Sequence, residues 1–151
     1  MHNFSPLITA LDSAPIAANE LCRIFHGRGH SVEHLSHLNL DFYPPSLFLV
    51  SYDEITPETL EQLTEQVWNW VKTNAPEHIT ALVYQQRAGL KTQNTLLYGE
   101  LPESHIVKEG AAKFNVDLMS RQNTGIFPDM RNGREFVSNN SKGAKVLNLF
   151  S

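Results

Sequence analysis

The sequence predicts an α/β protein of the α+β type, in which a small mixed-sheet lobe is followed by a layer of β-hairpin strands. Three observations support this fold class. Apolar side chains recur at helical spacing through residues 57–74, strand-like apolar runs at 46–52 and 79–85 flank that helix, and short alternating runs follow between 95 and 118. A strand, a helix and a second strand of these lengths form a crossover unit, which predicts two parallel strands.

The composition is that of a globular protein. The chain has 151 residues, 41% of them hydrophobic and 19% charged, which suits one domain or two small ones with a real core. No apolar stretch approaches the roughly 20 residues of a membrane span, and no basic residue precedes an apolar run at the N-terminus as in a secretory signal. The single cysteine, Cys22, excludes an internal disulfide, fits a reducing cytoplasm and is interpreted as a small buried side chain.

The charge is unevenly divided along the chain. Residues 1–103 hold 5 Lys/Arg and 12 Asp/Glu, whereas residues 104–151 hold 7 and 4. The acidic first part argues against an RNA-docking surface there. The basic second part could meet a phosphate or a carboxylate, but its field is weak, and a solvated surface is the default interpretation.

The N-terminal third is predicted to contain one helix and two strands. Residues 1–12 read as an irregular lead-in, and Ser13 then caps a helix with Pro15 in its first turn. Gly27 stands where a left-handed C-cap is usual. The apolar face of this helix consists of Ile16, Leu21, Ile24 and Phe25. The next strand alternates at Leu38, Leu40 and Phe42 and stops at Pro44-Pro45.

The helix at 57–74 carries the strongest local signals. Thr56 is expected to cap it, Pro57 takes its first position, and acidic residues favour its positive N-terminal end. Asn74 and Pro76 end the helix. Its apolar face consists of Leu60, Leu63, Val67, Trp70 and Val71.

The C-terminal third is predicted to be rich in short strands. Strands at 95–98, 105–109 and 113–118 are separated by glycine-containing turns and form the hairpin layer. A helix at 129–140 and a strand at 144–150 complete the chain. The last strand is strongly apolar, with Val146, Leu147, Leu149 and Phe150, so it needs neighbours that pair its edges and cover its faces.

Four histidines in the segment HGRGHSVEHLSH are candidate metal ligands. Their spacings of four, four and three would line one face of a helix, but glycines interrupt that helix after the first histidine. Surface histidines around a glycine-rich turn are therefore favoured, and no metal site is predicted. The same segment could instead present Arg28 and free backbone N–H groups to an anion. The four are His26, His30, His34 and His37.

The segment NTGIFPDMRNGR, residues 123–134, is the second candidate site. Gly125 permits a tight turn, Phe127 offers a flat apolar face, and Asp129 and Arg131 lie two apart just before a helix. An aromatic ring can stack on a purine, and an arginine fork can grip a carboxylate. From chemistry alone, Asp129 as the N-cap of the helix is the favoured interpretation.

A resemblance changes that balance. The segment from G-E-L-P (99–102) to the C-terminus resembles the central part of a family of S-adenosylmethionine-dependent methyltransferases, which includes cytosine-5 and guanine-N7 methyltransferases of large-subunit ribosomal RNA. Its pattern E-x-G-x-x-F-x-V-x-L is similar to the hairpin of that family, and T-G-x-F-L-D-x-R follows. Pro128 departs from the usual Leu and stiffens the entry to the helix. The matching residues are Glu109, Gly110, Phe114, Val116, Leu118, Thr124, Gly125, Phe127, Asp129 and Arg131. RIFHGRGH also looks like the corresponding stretch in some members.

The resemblance implies a division of the chain. Residues 1–92 would form the N-terminal α/β lobe, 93–120 the hairpin layer, and 121–151 the start of a Rossmann-like cofactor domain. In the family, the strand V-L-N-L-F-S opens that domain and runs into Y-T-x-G-F, a glycine loop around the cofactor. We therefore expect these residues to be the front part of a longer enzyme, cut by design or by proteolysis.

The resemblance also implies the function. The full-length protein would be a cytoplasmic methyltransferase that uses S-adenosylmethionine and acts on RNA, without a membrane partner. No catalytic residue is expected within this chain, which should be inactive by itself. The cofactor wall is expected to contain Thr124, Phe127, Asp129, Arg131 and Ser151. For each of these residues a purely structural role is equally open.

Two other functions and an assembly remain open at the level of sequence. The chain could be a non-catalytic module that binds RNA or protein, or part of a methyltransferase that acts on another substrate. We also expect the C-terminal strand to pair with a second copy of the chain, because unpaired strand edges and large apolar side chains favour self-association.

Overall fold

A computed structural model describes residues 3–29, 32–89, 91–120 and 122–147 of the chain. It has a mixed α+β fold built on a five-stranded sheet, as predicted, with a separate two-stranded hairpin. The helices are α1 (Ser5–Ser13), α2 (Pro57–Asn74) and α3 (Arg131–Asn140). The strands are β1 (Cys22–His26), β2 (Leu38–Tyr43), β3 (Ser46–Ser51), β4 (Ala81–Gln86), β5 (Gln93–Gly99), β6 (Ile106–Glu109) and β7 (Ala112–Asn115).

The order of strands in the main sheet is the order in the chain, from β1 to β5. Strands β1 and β2, β2 and β3, and β4 and β5 pair antiparallel, while β3 and β4 pair parallel. Helix α2 connects the parallel pair, because parallel neighbours need a long crossover. The predicted crossover unit is confirmed.

The ends of α2 follow from its local sequence. The Oγ1 atom of Thr56 accepts a hydrogen bond from the backbone N–H of Thr59 at 3.3 Å, and Pro57 takes the first helical position. Leu63, Val67 and Val71 are at most 1% exposed and pack against the sheet. The predicted bounds and the predicted cap are confirmed.

The sheet is covered on both faces. Helices α1 and α2 pack on one face, where the buried side chains of Leu40 and Phe42 point. On the other face, Tyr43 and Phe48 pack with Val107 of the β6–β7 hairpin. Every residue of β2 and every residue of β3 is buried as a result. The second face also carries the candidate functional site.

The N-terminal helix is displaced from its predicted place. Residues 5–13 form α1, where an irregular lead-in was predicted, and the predicted helix around residues 14–26 is replaced by a 3₁₀ turn and strand β1. Apolar spacing suggested a helix, but β1 pairs with β2, and the N–H of Leu21 donates to the carbonyl oxygen of Lys108 at 2.8 Å. Tertiary pairing thus overrides the local pattern.

The hairpin layer is smaller than predicted. Strand β5 pairs with β4 in the main sheet, so the separate layer consists of β6 and β7. The alternating burial predicted for the segment FNVDL is confirmed, since Val116 and Leu118 are buried although β7 ends at Asn115.

After β7 the sequence predicted a helix and a final strand, and the described residues contain the helix but not the strand. Helix α3 is confirmed and is preceded by a 3₁₀ turn, Pro128–Met130. Residues 144–147 form no strand, and Val146 and Leu147 are 62% and 79% exposed. The last two apolar residues of the predicted strand, Leu149 and Phe150, lie outside the described residues.

Among the described residues, no helix is both long enough and apolar enough to cross a lipid bilayer.

Candidate functional site

A cavity of about 220 Å³ lies on the second face of the sheet, next to the segment 124–129. Alternate residues of β2 point into it, because side chains two apart in a strand share a face. Its lining combines three arginines with two aspartates and four aromatic rings. These residues are Arg23, His26, Arg28, Asn39, Asp41, Tyr43, Phe48, Val50, Tyr52, Arg87, Thr124, Phe127 and Asp129.

A buried ion pair forms the floor of this cavity. Arg23 and Asp41 are direct partners in the β1–β2 register, and their side chains make two hydrogen bonds, Nε to Oδ1 at 2.8 Å and Nη2 to Oδ2 at 3.2 Å. The side chain of Asp41 is only 5% exposed. Burial raises the pKa of Asp41 above its usual range, and the Arg23 guanidinium opposes that rise.

The same arginine reaches the segment 124–129. Its Nη1 atom lies 3.5 Å from Oδ2 of Asp129, which ties the start of the α3 region to the sheet. From chemistry alone, Asp129 was favoured as the N-cap of the helix, and that interpretation is wrong. Asp129 lies inside the 3₁₀ turn, and α3 has Met130 at its N-cap without a side-chain cap. The carboxylate instead faces the cavity and Arg23.

Two further arginines meet at one aromatic ring. The Cζ atom of Arg28 lies 4.2 Å from the ring centroid of Tyr52, and that of Arg87 lies 5.5 Å from it. Arg87 is held in place by hydrogen bonds to the carbonyl oxygen of Gln122, at 3.0 Å, and to the side chain of Gln85. In the part of the chain that the structure describes, neither arginine pairs with a carboxylate.

The position of Arg28 depends on Gly27. A Cβ atom at Gly27 would lie 1.9 Å from the carbonyl oxygen of Leu35 and 2.7 Å from that of Leu38, so no larger residue fits. The close approach folds the 3₁₀ turn Gly27–Gly29 over the end of β2. Gly27 was predicted as a left-handed helix cap, but it follows a strand and its φ is not positive, so the requirement is for space instead.

Thr124 fastens the segment 124–129 to the sheet. Its hydroxyl lies 2.9 Å from the hydroxyl of Tyr43, and both are within hydrogen-bond distance of the carbonyl oxygen of Ile126. Thr124 is 4% exposed, and burial raises the pKa of Tyr43 well above its usual range. With its hydroxyl engaged inside the protein, Thr124 has a positioning role, and its contact with a cofactor stays a prediction.

Arg131 lines a different cavity. Its Nη2 atom pairs with Oε2 of Glu20 at 2.6 Å, and its Nη1 atom donates to the carbonyl oxygen of Leu21 at 3.4 Å. The cavity of about 450 Å³ beside it lies between the β6–β7 turn and α3. The structure thus brings Thr124, Phe127 and Asp129 together and separates Arg131 from them. Ser151, the last predicted wall residue, lies outside the described residues.

A second bidentate salt bridge joins the hairpin to α3. Arg134 donates from Nε and Nη2 to the two carboxylate oxygens of Glu109, at 2.7 and 2.6 Å, and from Nη2 to the carbonyl oxygen of Phe127 at 3.0 Å. These bonds lower the pKa of Glu109. The sequence analysis did not identify Arg134 as a site residue, although its position one turn into α3 places it opposite the hairpin turn.

His26 and His34 are exposed, as the interpretation of surface histidines predicted. His26 lies in β1 with Nδ1 3.1 Å from Oδ1 of Asn39, while Nε2 of His34 lies 2.9 Å from the carbonyl oxygen of Asn3. His30 is outside the described residues, among which no three potential ligands cluster as a metal site would need.

Burial raises the pKa of the Cys22 thiol to about 11, which suits a packed side chain and not a nucleophile.

The model of the S-adenosylmethionine-dependent methyltransferase family matches residues 22–151, which include the cavity and the segment 124–129. The chain belongs to this family. The resemblance found in the sequence is thereby confirmed, and S-adenosylmethionine is the cofactor of the family.

Several curated proteins are similar to part of this chain. Ribosomal RNA large subunit methyltransferase I of Aliivibrio fischeri is 37% identical over 68 residues, which are 44% of this chain and 17% of that protein. Methyltransferase K of Neisseria meningitidis is 31% identical over 117 residues, which are 74% of this chain and 32% of that protein. The K/L enzyme of Pseudoalteromonas translucida is 29% identical over 118 residues and 16% of its length. The chain thus spans a third or less of each.

Solved structures share the fold. A putative S-adenosylmethionine-dependent methyltransferase from Streptococcus mutans superposes with a TM-score of 0.67 at 22% identity, covering 93% of this chain and 37% of that one. A putative methyltransferase complexed with SAH gives the same values.

The residues around the segment 124–129 fit part of such a cofactor. Phe127 is 46% exposed, and the Asp129 side chain is 51% exposed. An aromatic face can stack on adenine, and a carboxylate can accept hydrogen bonds from ribose hydroxyls. Among the described residues of the predicted wall, these two and Arg131, whose side chain is 39% exposed, are accessible to a ligand.

We predict that Arg23→Met destabilises the chain by about 3–5 kcal/mol near neutral pH, because it leaves Asp41 buried without its cation. The loss of the cation raises the pKa of Asp41 further. A carboxyl group with a raised folded-state pKa contributes stability below its unfolded pKa and loses it as the pH rises. The destabilisation, measured by urea unfolding, should therefore shrink as the pH falls toward about 4.

Lys72→Met, which removes an exposed charge on α2, is the matched control. A loss of stability in Arg23→Met that does not change with pH would contradict the prediction.

Proposed function

We propose that the chain is part of a cytoplasmic methyltransferase that modifies ribosomal RNA of the large subunit. Its share of the work is to place the substrate and to supply one wall of the cofactor pocket. Support comes from the family and from the names of the relatives, which are enzymes of large-subunit ribosomal RNA.

One observation carries the proposal. The residues of the T-G-x-F-x-D segment line the same cavity as the arginines of the sheet. A methyl acceptor held by those arginines would thus lie beside Phe127 and Asp129, which the resemblance assigns to the cofactor. Cation-rich walls suit RNA, because phosphates dominate its surface charge.

The chain's own groups would orient both reactants. S-adenosylmethionine, when bound, supplies a methyl group on a positively charged sulfur. Asp129 would face the cofactor while Arg23 holds the carboxylate in place, at 3.5 Å. The ion pair of Arg131 with Glu20 supports a role in holding the wall in place over a role in pairing with the cofactor's carboxylate.

We further propose that the chain alone does not transfer methyl groups, because it spans only 16–32% of its relatives. Self-association through the C-terminal segment stays a proposal, supported by the exposure of Val146 and Leu147.

Deleting the gene that encodes the chain should remove one methyl mark from large-subunit ribosomal RNA, on cytosine C5 or guanine N7. Mass spectrometry of the RNA, digested to nucleosides and then mapped by fragments, measures the loss. Re-expression from a plasmid should restore the mark. A complete and unchanged set of methyl marks in the deletion strain would contradict the proposed function.

A separate prediction concerns the cofactor. The 151-residue chain should bind S-adenosylmethionine weakly or not at all in titration calorimetry, since it offers one wall of the pocket. A dissociation constant of about 1 μM, equivalent to roughly −8 kcal/mol, would mean that a complete cofactor site lies within these residues.

A further inference from the structure

The basic residues of the acidic part of the chain are concentrated in one place. Residues 1–103 contain five Lys and Arg residues, and three of them, Arg23, Arg28 and Arg87, line the cavity of about 220 Å³. The lining holds two carboxylates, Asp41 and Asp129, of which Asp41 is neutralised by Arg23. The cavity is therefore locally cationic within an acidic lobe, which is the arrangement that attracts an anionic group to one point.

Two of these arginines keep donors available for an anion. Arg28 is exposed, and its guanidinium lies over the ring of Tyr52, 4.2 Å from Cζ to the centroid. Stacking uses the flat face of a guanidinium and leaves its in-plane N–H groups free. Arg87 approaches the same ring and is fixed by the carbonyl oxygen of Gln122. The ring thus preorganises two cations, neither of which forms a salt bridge with a carboxylate in the described residues.

The floor offers hydrogen-bonding groups in a dry setting. Asn39 and Asp41 are 2% and 4% exposed and project from the same face of β2. Their oxygens accept bonds from His26 and Arg23, and each oxygen has a second lone pair. Tyr52 and Phe127 add aromatic surface. Cavities for drug-sized ligands measure roughly 300–1,000 Å³, so a cavity of about 220 Å³ suits a single heteroaromatic base.

We propose that this cavity binds one unpaired nucleotide of the RNA substrate, with its phosphate on Arg28 and Arg87 and its base over Asn39 and Asp41. The inference rests on the proposed function and adds the place where the RNA is read. An unpaired nucleotide is required, because a base inside a duplex cannot present its edge to a cavity.

The charge also separates the nucleotide from the cofactor. S-adenosylmethionine carries a sulfonium, an ammonium and one carboxylate, so it has a net positive charge that the arginines disfavour. A nucleotide phosphate is negative and pairs with them. The cofactor then lies beside the nucleotide, against the exposed parts of Phe127 and Asp129.

The test measures binding of fluorescent single-stranded and duplex RNA to the 151-residue chain by anisotropy at several salt concentrations. The wild-type chain should prefer the single strand. Arg28→Met and Arg87→Met should each weaken binding about tenfold and reduce the salt slope by about 1. Lys72→Met is the matched control, since Lys72 is an exposed residue of α2, which packs on the opposite face of the sheet, and it should change neither quantity.

Competition shows whether a base is read. Nucleoside monophosphates should displace the RNA, whereas ribose 5-phosphate and S-adenosylmethionine should not. Displacement by ribose 5-phosphate at equal concentration would overturn the inference in favour of a simple phosphate site. Displacement by S-adenosylmethionine would overturn it by assigning the cavity to the cofactor.

The remaining outcomes separate the inference from the proposed function. If the wild-type chain binds RNA and both arginine variants bind as tightly as Lys72→Met, the cavity is not the nucleotide site, while placement of RNA by the chain still stands. If the wild-type chain binds neither RNA, both the inference and its placement role fail, whatever mark the deletion strain has lost.

Discussion

The buried ion pair between Arg23 and Asp41 is the interaction on which the candidate site depends. It joins β1 to β2 through two hydrogen bonds, and the same guanidinium reaches Asp129 in the segment 124–129, which we propose lies near the cofactor. Burying two charges costs several kcal/mol per ion before pairing returns part of it, so the pair is a weak source of stability. Its value lies in geometry, because it fixes a charged floor beneath a cavity and sets the distance from the sheet to the segment 124–129.

The packing on the second face of the sheet also positions the segment 124–129. Tyr43 lies two residues beyond Asp41 on β2, and its hydroxyl meets Thr124 and the carbonyl oxygen of Ile126. The sheet therefore holds the segment 124–129 at two points, by a salt bridge and by a buried hydroxyl pair. Arg134 adds a third by linking the hairpin residue Glu109 to the carbonyl oxygen of Phe127, so the exposed ring projects from a supported backbone.

Local signals predicted only part of this arrangement. The start of α2 followed from Thr56 and Pro57 and its end from Asn74 and Pro76, because these signals act within a few residues. Strand β1 could not be predicted in that way, since apolar residues at helical spacing also fit a strand that pairs with β2. The residue before this strand, Leu21, donates to the carbonyl oxygen of Lys108. Arg28 was named from the sequence as a possible anion ligand, but Arg23 and Arg87 were not, because a net charge summed along the sequence does not show which residues folding brings together. Asp129 was assigned to a cap on its position alone, and its partner, Arg23, is distant in sequence.

A double-mutant cycle tests the central role of the buried pair most directly. The free energies of unfolding of Arg23→Met, Asp41→Asn and the double variant are compared with that of the wild-type chain near neutral pH. If the pair forms the floor of the site, the double variant should be much less destabilised than the sum of the single variants, with a coupling energy of about 1–3 kcal/mol. Additivity within roughly 0.3–0.5 kcal/mol, the spread found for independent sites, would mean that the two side chains do not interact and would contradict this account.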